Sequence, residues 1–183
     1  NGSAPTLLWS NDGRNAAVMV RAIDNKDRWI ASIDLANAKL QPRHRLTDLA
    51  WINWGFNDFG WLPDGQTLWF LSEQSGYSHL YTQRGSEQPR QRTSGKWEVS
   101  APLPTADGSG FLFLCNRAWP GKYEVCRSDL SGDGVRELTD LGGVLDFSLS
   151  PDGKRLLLRH SSAFMPPQLS VLEVAGGKPH ALT

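Results

Sequence analysis

The sequence predicts an all-β protein, a β-propeller segment of about four four-stranded antiparallel blades. Three observations lead there. A dipeptide ending in threonine recurs at Leu46-Thr47, Arg92-Thr93, Leu138-Thr139 and Leu182-Thr183, with the threonines 46, 46 and 44 residues apart. An Asp-Gly pair precedes each one, at Asp12-Gly13, Asp64-Gly65, Asp107-Gly108 and Asp152-Gly153, with 35, 29, 32 and 31 residues from Asp to Thr. No segment sustains a helical period. Two landmarks in one phase, four times over, mark an internal repeat. A period near ~45 residues with four short strands per unit is that of a propeller blade. A solenoid fits less well, because its units carry fewer strands or a helix. The blades are expected at residues 1–47, 48–93, 94–139 and 140–183, so that the whole of 1–183 is one partial propeller domain.

The first blade places Leu7, Trp9, Val18 and Val20 around its Asp12-Gly13 turn. In the second, strands are expected over Thr67–Glu73 and His79–Gln83, with a turn at Ser75-Gly76 and a short last strand near Arg90–Arg92. In the third, Cys115 and Cys126 fall on the second and third strands, either side of a turn near Pro120-Gly121. They face each other as a bridge across the hairpin or lie there as two buried thiols; the spacing allows both. The polar run Asp129-Leu130-Ser131-Gly132-Asp133-Gly134 loosely mimics the start of a calcium loop. Its twelfth position is Asp140 and no helices flank it, so a plain turn explains it better.

The fourth blade is the clearest. Val144–Leu149 is an apolar-rich strand, and Ser150-Pro151-Asp152-Gly153 has hairpin chemistry, the Gly being free to take positive φ. Arg155–His160 follows with Leu156, Leu157 and Leu158 as a buried run, and Pro166-Pro167 is expected to break the chain. Gln168–Val174 puts Leu169, Val171 and Glu173 on one face and Ser170, Leu172 and Val174 on the other. Gly176-Gly177 turns into a last strand over Pro179–Leu182, where a proline suits an edge.

Composition narrows the function classes. Lys plus Arg and Asp plus Glu number 19 each, which argues against a nucleic-acid partner. No apolar run approaches the ~20 residues that span a membrane, so a soluble chain without a membrane span is expected. No signal peptide is visible, and the native N-terminus, with any export signal, is expected upstream of Asn1-Gly2-Ser3. The compartment is left open between cytoplasmic and periplasmic or extracellular. No cofactor motif is present. No catalytic residue is nominated: the nearest approach to a nucleophile elbow, Gly76-Tyr77-Ser78-His79-Leu80, lacks the second Gly and sits in a β-hairpin. No metal ligand is nominated either, since His44, His79, His160 and His180 have no ligand spacing and read as surface or hairpin residues.

Trp is over-represented, with eight copies. The densest aromatic stretch, Trp51-Ile52-Asn53-Trp54-Gly55-Phe56-Asn57-Asp58-Phe59-Gly60-Trp61, links the first two blades. Such links lie at a propeller face, where ligands dock, although most of these rings are expected to pack between blades. Trp97, in the next link, carries the same packing expectation.

Three pieces carry a family resemblance. Phe59-Gly60-Trp61-Leu62-Pro63-Asp64-Gly65, Ser72-Glu73-Gln74-Ser75-Gly76-Tyr77-Ser78-His79-Leu80-Tyr81 and Thr93-Ser94-Gly95-Lys96-Trp97-Glu98-Val99 resemble the propeller of the dipeptidyl peptidase IV group, within the prolyl oligopeptidase family of serine peptidases. The Ser150–Lys154 turn and the Gly176–Thr183 end are similar too. The resemblance implies a ring of seven or eight blades, of which these are the last four, followed by an α/β-hydrolase domain with a Ser-Asp-His triad. The partners it implies are that downstream domain and a peptide substrate. The Glu-Glu pair by which this group holds a substrate's amino terminus does not occur in this sequence. Trp51, Trp54 and Phe56 match the loop that lines the extended substrate site.

The leading expectation is therefore a non-catalytic propeller segment that gates and shapes substrate access. A free-standing interaction propeller of the TolB or WD40 kind is the alternative. A glycan-processing propeller is third, because Ser10-Asn11-Asp12-Gly13 puts the Gly of an Asp box one place early. Four blades cut from a larger ring leave apolar faces bare, Leu7, Trp9, Val18 and Val20 at one end and Leu157, Leu169 and Val171 at the other. Two copies joined head to tail would cover them, so a homodimer of the segment is expected.

Overall fold

A computed structural model describes residues 4–131 and 134–183. Gly132 and Asp133, within the calcium-like run, and Asn1-Gly2-Ser3 lie outside the described residues. The chain forms two compact units, Asn1–Arg92 and Thr93–Thr183. Each unit holds two four-stranded sheets, and in every sheet the strands lie in chain order. All pairings are antiparallel.

In the first unit, sheet one comprises β1 (Thr6–Trp9), β2 (Ala16–Arg21), β3 (Asp27–Asp34) and β4 (Lys39–Thr47). Sheet two comprises β5 (Phe59–Trp61), β6 (Thr67–Ser72), β7 (His79–Arg84) and β8 (Arg90–Gln91). Ala17, Met19 and Ile30 of sheet one share a core with Phe59, Leu68, Phe70 and Tyr81 of sheet two. The Phe70 and Tyr81 rings stack at 5.7 Å. Gly60 stands opposite Trp69 in the ladder. A Cβ there would come within 2.8 Å of the indole, so the absent side chain is what admits the ring.

In the second unit, sheet three comprises β9 (Val99–Pro104), β10 (Gly110–Trp119), β11 (Lys122–Asp129) and β12 (Val135–Glu137). Sheet four comprises β13 (Val144–Leu149), β14 (Arg155–Ser162), β15 (Met165–Glu173) and β16 (His180–Ala181). Leu112, Leu114 and Val125 pack with Val144, Leu156, Leu158, Leu172 and Val174. This is how two adjacent blades bury facing sheets. Trp97 is buried and stacks on Phe113 of its own blade at 6.4 Å.

The four Asp-Gly turns are one structure repeated. Gly13, Gly65, Gly108 and Gly153 take φ of +68°, +65°, +68° and +72°. Each donates its N–H to the carbonyl three residues earlier, at 2.8–2.9 Å. Each Asp accepts the N–H two residues on, from Arg14, Gln66, Ser109 and Lys154. A side chain that closes its own turn, followed by a left-handed Gly, is hairpin chemistry that needs no tertiary help.

Two expectations for sheet four are corrected. Leu157 is 43% exposed between fully buried Leu156 and Leu158, because β14 alternates rather than burying both faces. Pro166 and Pro167 do not end a strand but lie inside β15. The register runs from His160↔Gln168 to Ser162↔Met165. Two prolines thus stand opposite Ser161 alone, in a bulge whose missing ladder bonds suit residues without an N–H. Of the faces expected to be bare, Leu7, Trp9, Leu157 and Leu169 are exposed, whereas Val18 is buried at 6%.

Candidate functional site

In an antiparallel blade the turn between strands two and three and the link to the next blade open at the same end. In the first unit these are residues 22–26, residues 48–58 and residues 73–78. Backbone bonds tie the first two together: Asp48 N–H donates to the Lys26 carbonyl and Ile52 N–H to the Asn25 carbonyl, both at 2.9 Å. Asn25 takes a left-handed φ of +60°, which Asn tolerates.

The link is shaped by its own polar side chains. Asp48 Oδ1 accepts from Ala50 N–H at 2.7 Å and Trp51 N–H at 3.0 Å. That turn throws the Trp51 ring outward, 75% exposed, while Ile52 is buried. Asn53 then caps a short 3-10 turn, Trp54–Phe56, its side chain accepting from Gly55 N–H at 3.0 Å. Trp54 is half-buried against the first unit's core, with the Arg21 guanidinium 4.6 Å over its ring. This is cation–π geometry.

Trp51 and Trp54 line a cavity of about 870 Å³ together with Asp48, Glu73 and Gln74. Phe56 is half-buried and does not line it. A 3-10 turn advances ~120° per residue, so positions two apart cannot face one way. On its other side Trp54 borders a recess of about 350 Å³ with Arg21, Asn57 and Asp58. Of the three aromatic candidates, the structure thus brings two together and leaves the third aside.

Behind the cavity wall lies a polar relay. Arg28 of β3 is fully buried. Its Nη1 donates to Asn57 Oδ1 at 2.6 Å and to the Leu71 carbonyl at 2.8 Å. Its Nη2 lies 3.1 Å from His44 Nδ1, and His44 Nε2 lies 2.9 Å from Gln74 Oε1. Arginine has no acceptor, so Nδ1 must be the lone-pair nitrogen and Nε2–H the donor to Gln74. Burial pulls Arg28 down to about 10, opposed by the nearby Glu73 carboxylate, so it stays charged. Burial lowers His44 to about 4, the Gln74 hydrogen bond opposes this, and the Arg28 charge lowers it further. His44 is therefore neutral at pH 7.

The histidines correct an expectation. His44, His79 and His160 are buried, at 9%, 1% and 6% exposure, and only His180 is a surface residue. His44 and His160 sit on the inward parity of alternating strands, whereas His79 lies on β7, which is buried on both faces. Sequence reasoning also missed Arg28, Asp48, Glu73 and Gln74. Arg28 shares the parity of Ile30 and Ser32, both buried, which is the one local signal that could have found it.

In the second unit the two cysteines form a disulfide, with Cα atoms 6.0 Å apart, which resolves the choice left open by the spacing. Among the described residues no helix is long and apolar enough to cross a membrane.

A family model described as the dipeptidyl peptidase IV (DPP IV) N-terminal region matches residues 4–167. Among solved structures, the chain is similar to Porphyromonas gingivalis dipeptidyl peptidase 4, with TM-score 0.82 and 19% identity over 100% of this chain and 27% of that one. It is also similar to TolB from Acinetobacter baumannii, with TM-score 0.66 and 22% identity over 98% of this chain and 44% of that one. The chain thus spans less than half the length of either. Both likenesses show the propeller fold.

Proposed function

The chain belongs to the family of dipeptidyl peptidase IV N-terminal regions, and from that premise we propose that it is a non-catalytic propeller segment that gates and shapes peptide access to an α/β-hydrolase domain of the same protein. The observation that carries this reading is the built end of the first unit. There an exposed Trp51 and a half-buried Trp54 stand over a cavity of about 870 Å³ walled by Asp48 and Glu73. Exposed indoles fixed on a hydrogen-bonded loop are costly to leave in water and effective as peptide contacts. Trp51 and Trp54 are assigned to substrate. Phe56, outside the wall, is not assigned a substrate contact of its own.

In the full-length protein, Trp51→Ala should lower kcat/KM for a peptide long enough to reach the propeller by roughly tenfold, with the melting temperature held. A drop in melting temperature with kinetics unchanged would show that the ring is a packing residue. The parent is read as a serine peptidase of the prolyl oligopeptidase family. A Gly-x-Ser-x-Gly followed by Asp and His beyond Thr183 would agree with this, and its absence would favour the second reading. That reading, a TolB-like interaction scaffold, is favoured by the TolB match over 98% of the chain. In the isolated chain, the exposed Leu7 and Trp9 of sheet one and Leu145, Leu157 and Leu169 of sheet four are assigned to contacts between two copies. Sedimentation equilibrium should show a dimer at micromolar concentration, and a 20.3 kDa monomer would refute the assignment.

A further inference from the structure

The cysteine pair lies in the second unit, apart from the aromatic site of the first. On the ladder of sheet three, Cys126 stands directly opposite Glu137 of β12, and Cys115 of β10 is its diagonal neighbour, two residues on from its partner Phe113 and so on the same face. Directly paired residues point to the same side of a sheet, so the three side chains share one face. The ligand atoms of Cys115, Cys126 and Glu137 all lie within 4.8 Å of one another. The two sulfurs are buried and Glu137 is exposed on the short edge strand, so the group has a closed floor and an open door. Its carboxylate takes part in no salt bridge or hydrogen bond among the described residues, whereas its neighbour Glu124 is fully engaged by Thr139, Leu141 and Gly142.

We propose that reduction of the Cys115–Cys126 disulfide creates a binding site for a thiophilic divalent cation, zinc or cadmium, held by the two thiolates and the Glu137 carboxylate. Two thiolates and one carboxylate with a fourth, open position form a zinc-type ligand set. Zn–S bonds of about 2.3 Å at the tetrahedral angle place the sulfurs about 3.8 Å apart. Cα atoms 6.0 Å apart allow that spacing with a change of side-chain torsion alone. The chemistry balances with a dithiol reductant. The reductant gives two electrons and two protons, the S–S bond breaks to two thiols, and the reductant closes to its own disulfide. Binding the cation then releases the two thiol protons. Bridge and bound metal exclude each other, so the same pair of residues reports the redox state of its surroundings as occupancy by a cation.

The test titrates cadmium into the reduced chain, after the dithiol has been removed without air, and into the oxidised chain. Reduced protein should bind one cadmium with a thiolate-to-metal charge-transfer band, and oxidised protein should show none. Glu137→Gln, on an exposed edge position that leaves the fold intact, should weaken binding at least tenfold. Glu137→Cys should strengthen it and intensify the band by adding a third thiolate. The proposal is overturned if the reduced chain gives no band, if oxidised chain gives the same one, or if Glu137→Gln binds as the parent does. Circular dichroism of each sample before titration establishes that the sheet is intact.

Discussion

The two units make the same connection in opposite ways. In the first, eleven residues, 48–58, run from β4 to β5; in the second, six residues, 138–143, run from β12 to β13. Each link meets a buried charge near the start of its blade's third strand, Arg28 on β3 and Glu124 on β11. Arg28 is a donor and reaches acceptors, touching the long link only at Asn57 Oδ1. Glu124 is an acceptor and collects Thr139 Oγ1 at 2.5 Å, Leu141 N–H at 3.1 Å and Gly142 N–H at 3.0 Å. Consecutive backbone N–H groups converge on an anion far more readily than consecutive carbonyls converge on a cation. A buried carboxylate therefore draws its link flat onto the blade. A buried guanidinium reaches its link at one side chain, and the rest, tied back through the Asp48 and Ile52 N–H groups, arches into a loop with an exposed indole beside a cavity.

The comparison can be broken at either charge. Arg28→Ala should have the largest effect, about 3–5 kcal/mol, because it empties the largest fully buried side-chain site and leaves the Leu71 carbonyl, Asn57 and His44 without a donor. Chemical denaturation measures it, and a loss below ~1 kcal/mol would mean that the cluster is dispensable. Glu124→Ala should cost about 3 kcal/mol, since it orphans one hydroxyl and two backbone N–H groups at once. Glu124→Gln, which keeps one acceptor oxygen, should recover part of that. If Ala and Gln variants are equally damaged, the carboxylate's charge matters more than its hydrogen bonds.

A third measurement sharpens the contrast through pH. Unfolded His44 takes up its proton near 6.5 and folded His44 only near 4. Between these values the unfolded chain binds more protons, so this contribution to stability is complete above pH 6.5 and is lost as pH falls towards 4. The span corresponds to on the order of 3 kcal/mol. His44→Gln should flatten the dependence in that window. An equally steep fall in the variant would assign it to another group. The smallest effect is expected where the two units are alike. Asp64→Ala and Asp152→Ala should each lower the denaturation midpoint slightly, Asp64 the more because it also accepts from the Thr67 N–H and hydroxyl. Identical denaturation midpoints for parent and both variants would show that these turns close without their aspartates.

Those turns also show what a sequence reveals of this fold. Asp12-Gly13 and its three counterparts are legible because turn, donor and acceptor lie within a few residues, and four repetitions fix the blade period. Leu156, Leu157 and Leu158 were not separable, because an unbroken apolar run carries no parity. Arg28 was illegible for a different reason. It reads as one charge in Asp27-Arg28-Trp29, and its partners lie 16, 29 and 43 residues away. Of the site, the aromatic link was visible as composition and as family resemblance. Which rings line the cavity depended on a 3-10 turn and an Asp48 cap that no periodicity announces.

Because every ladder joins strands that are neighbours in the chain, no sheet has to wait for distant sequence. On the ribosome this makes assembly processive, one blade after another. Sheet one can close as soon as Thr47 is available, but its inner face of Ala17, Met19 and Ile30 has no cover until Phe59, Leu68 and Phe70 arrive. At about 5–20 residues per second, the remaining residues of sheet two take roughly 2–9 seconds to appear. For that interval the nascent chain carries a finished sheet with an open apolar face, and this is the stage at which a holding chaperone has the most to bind.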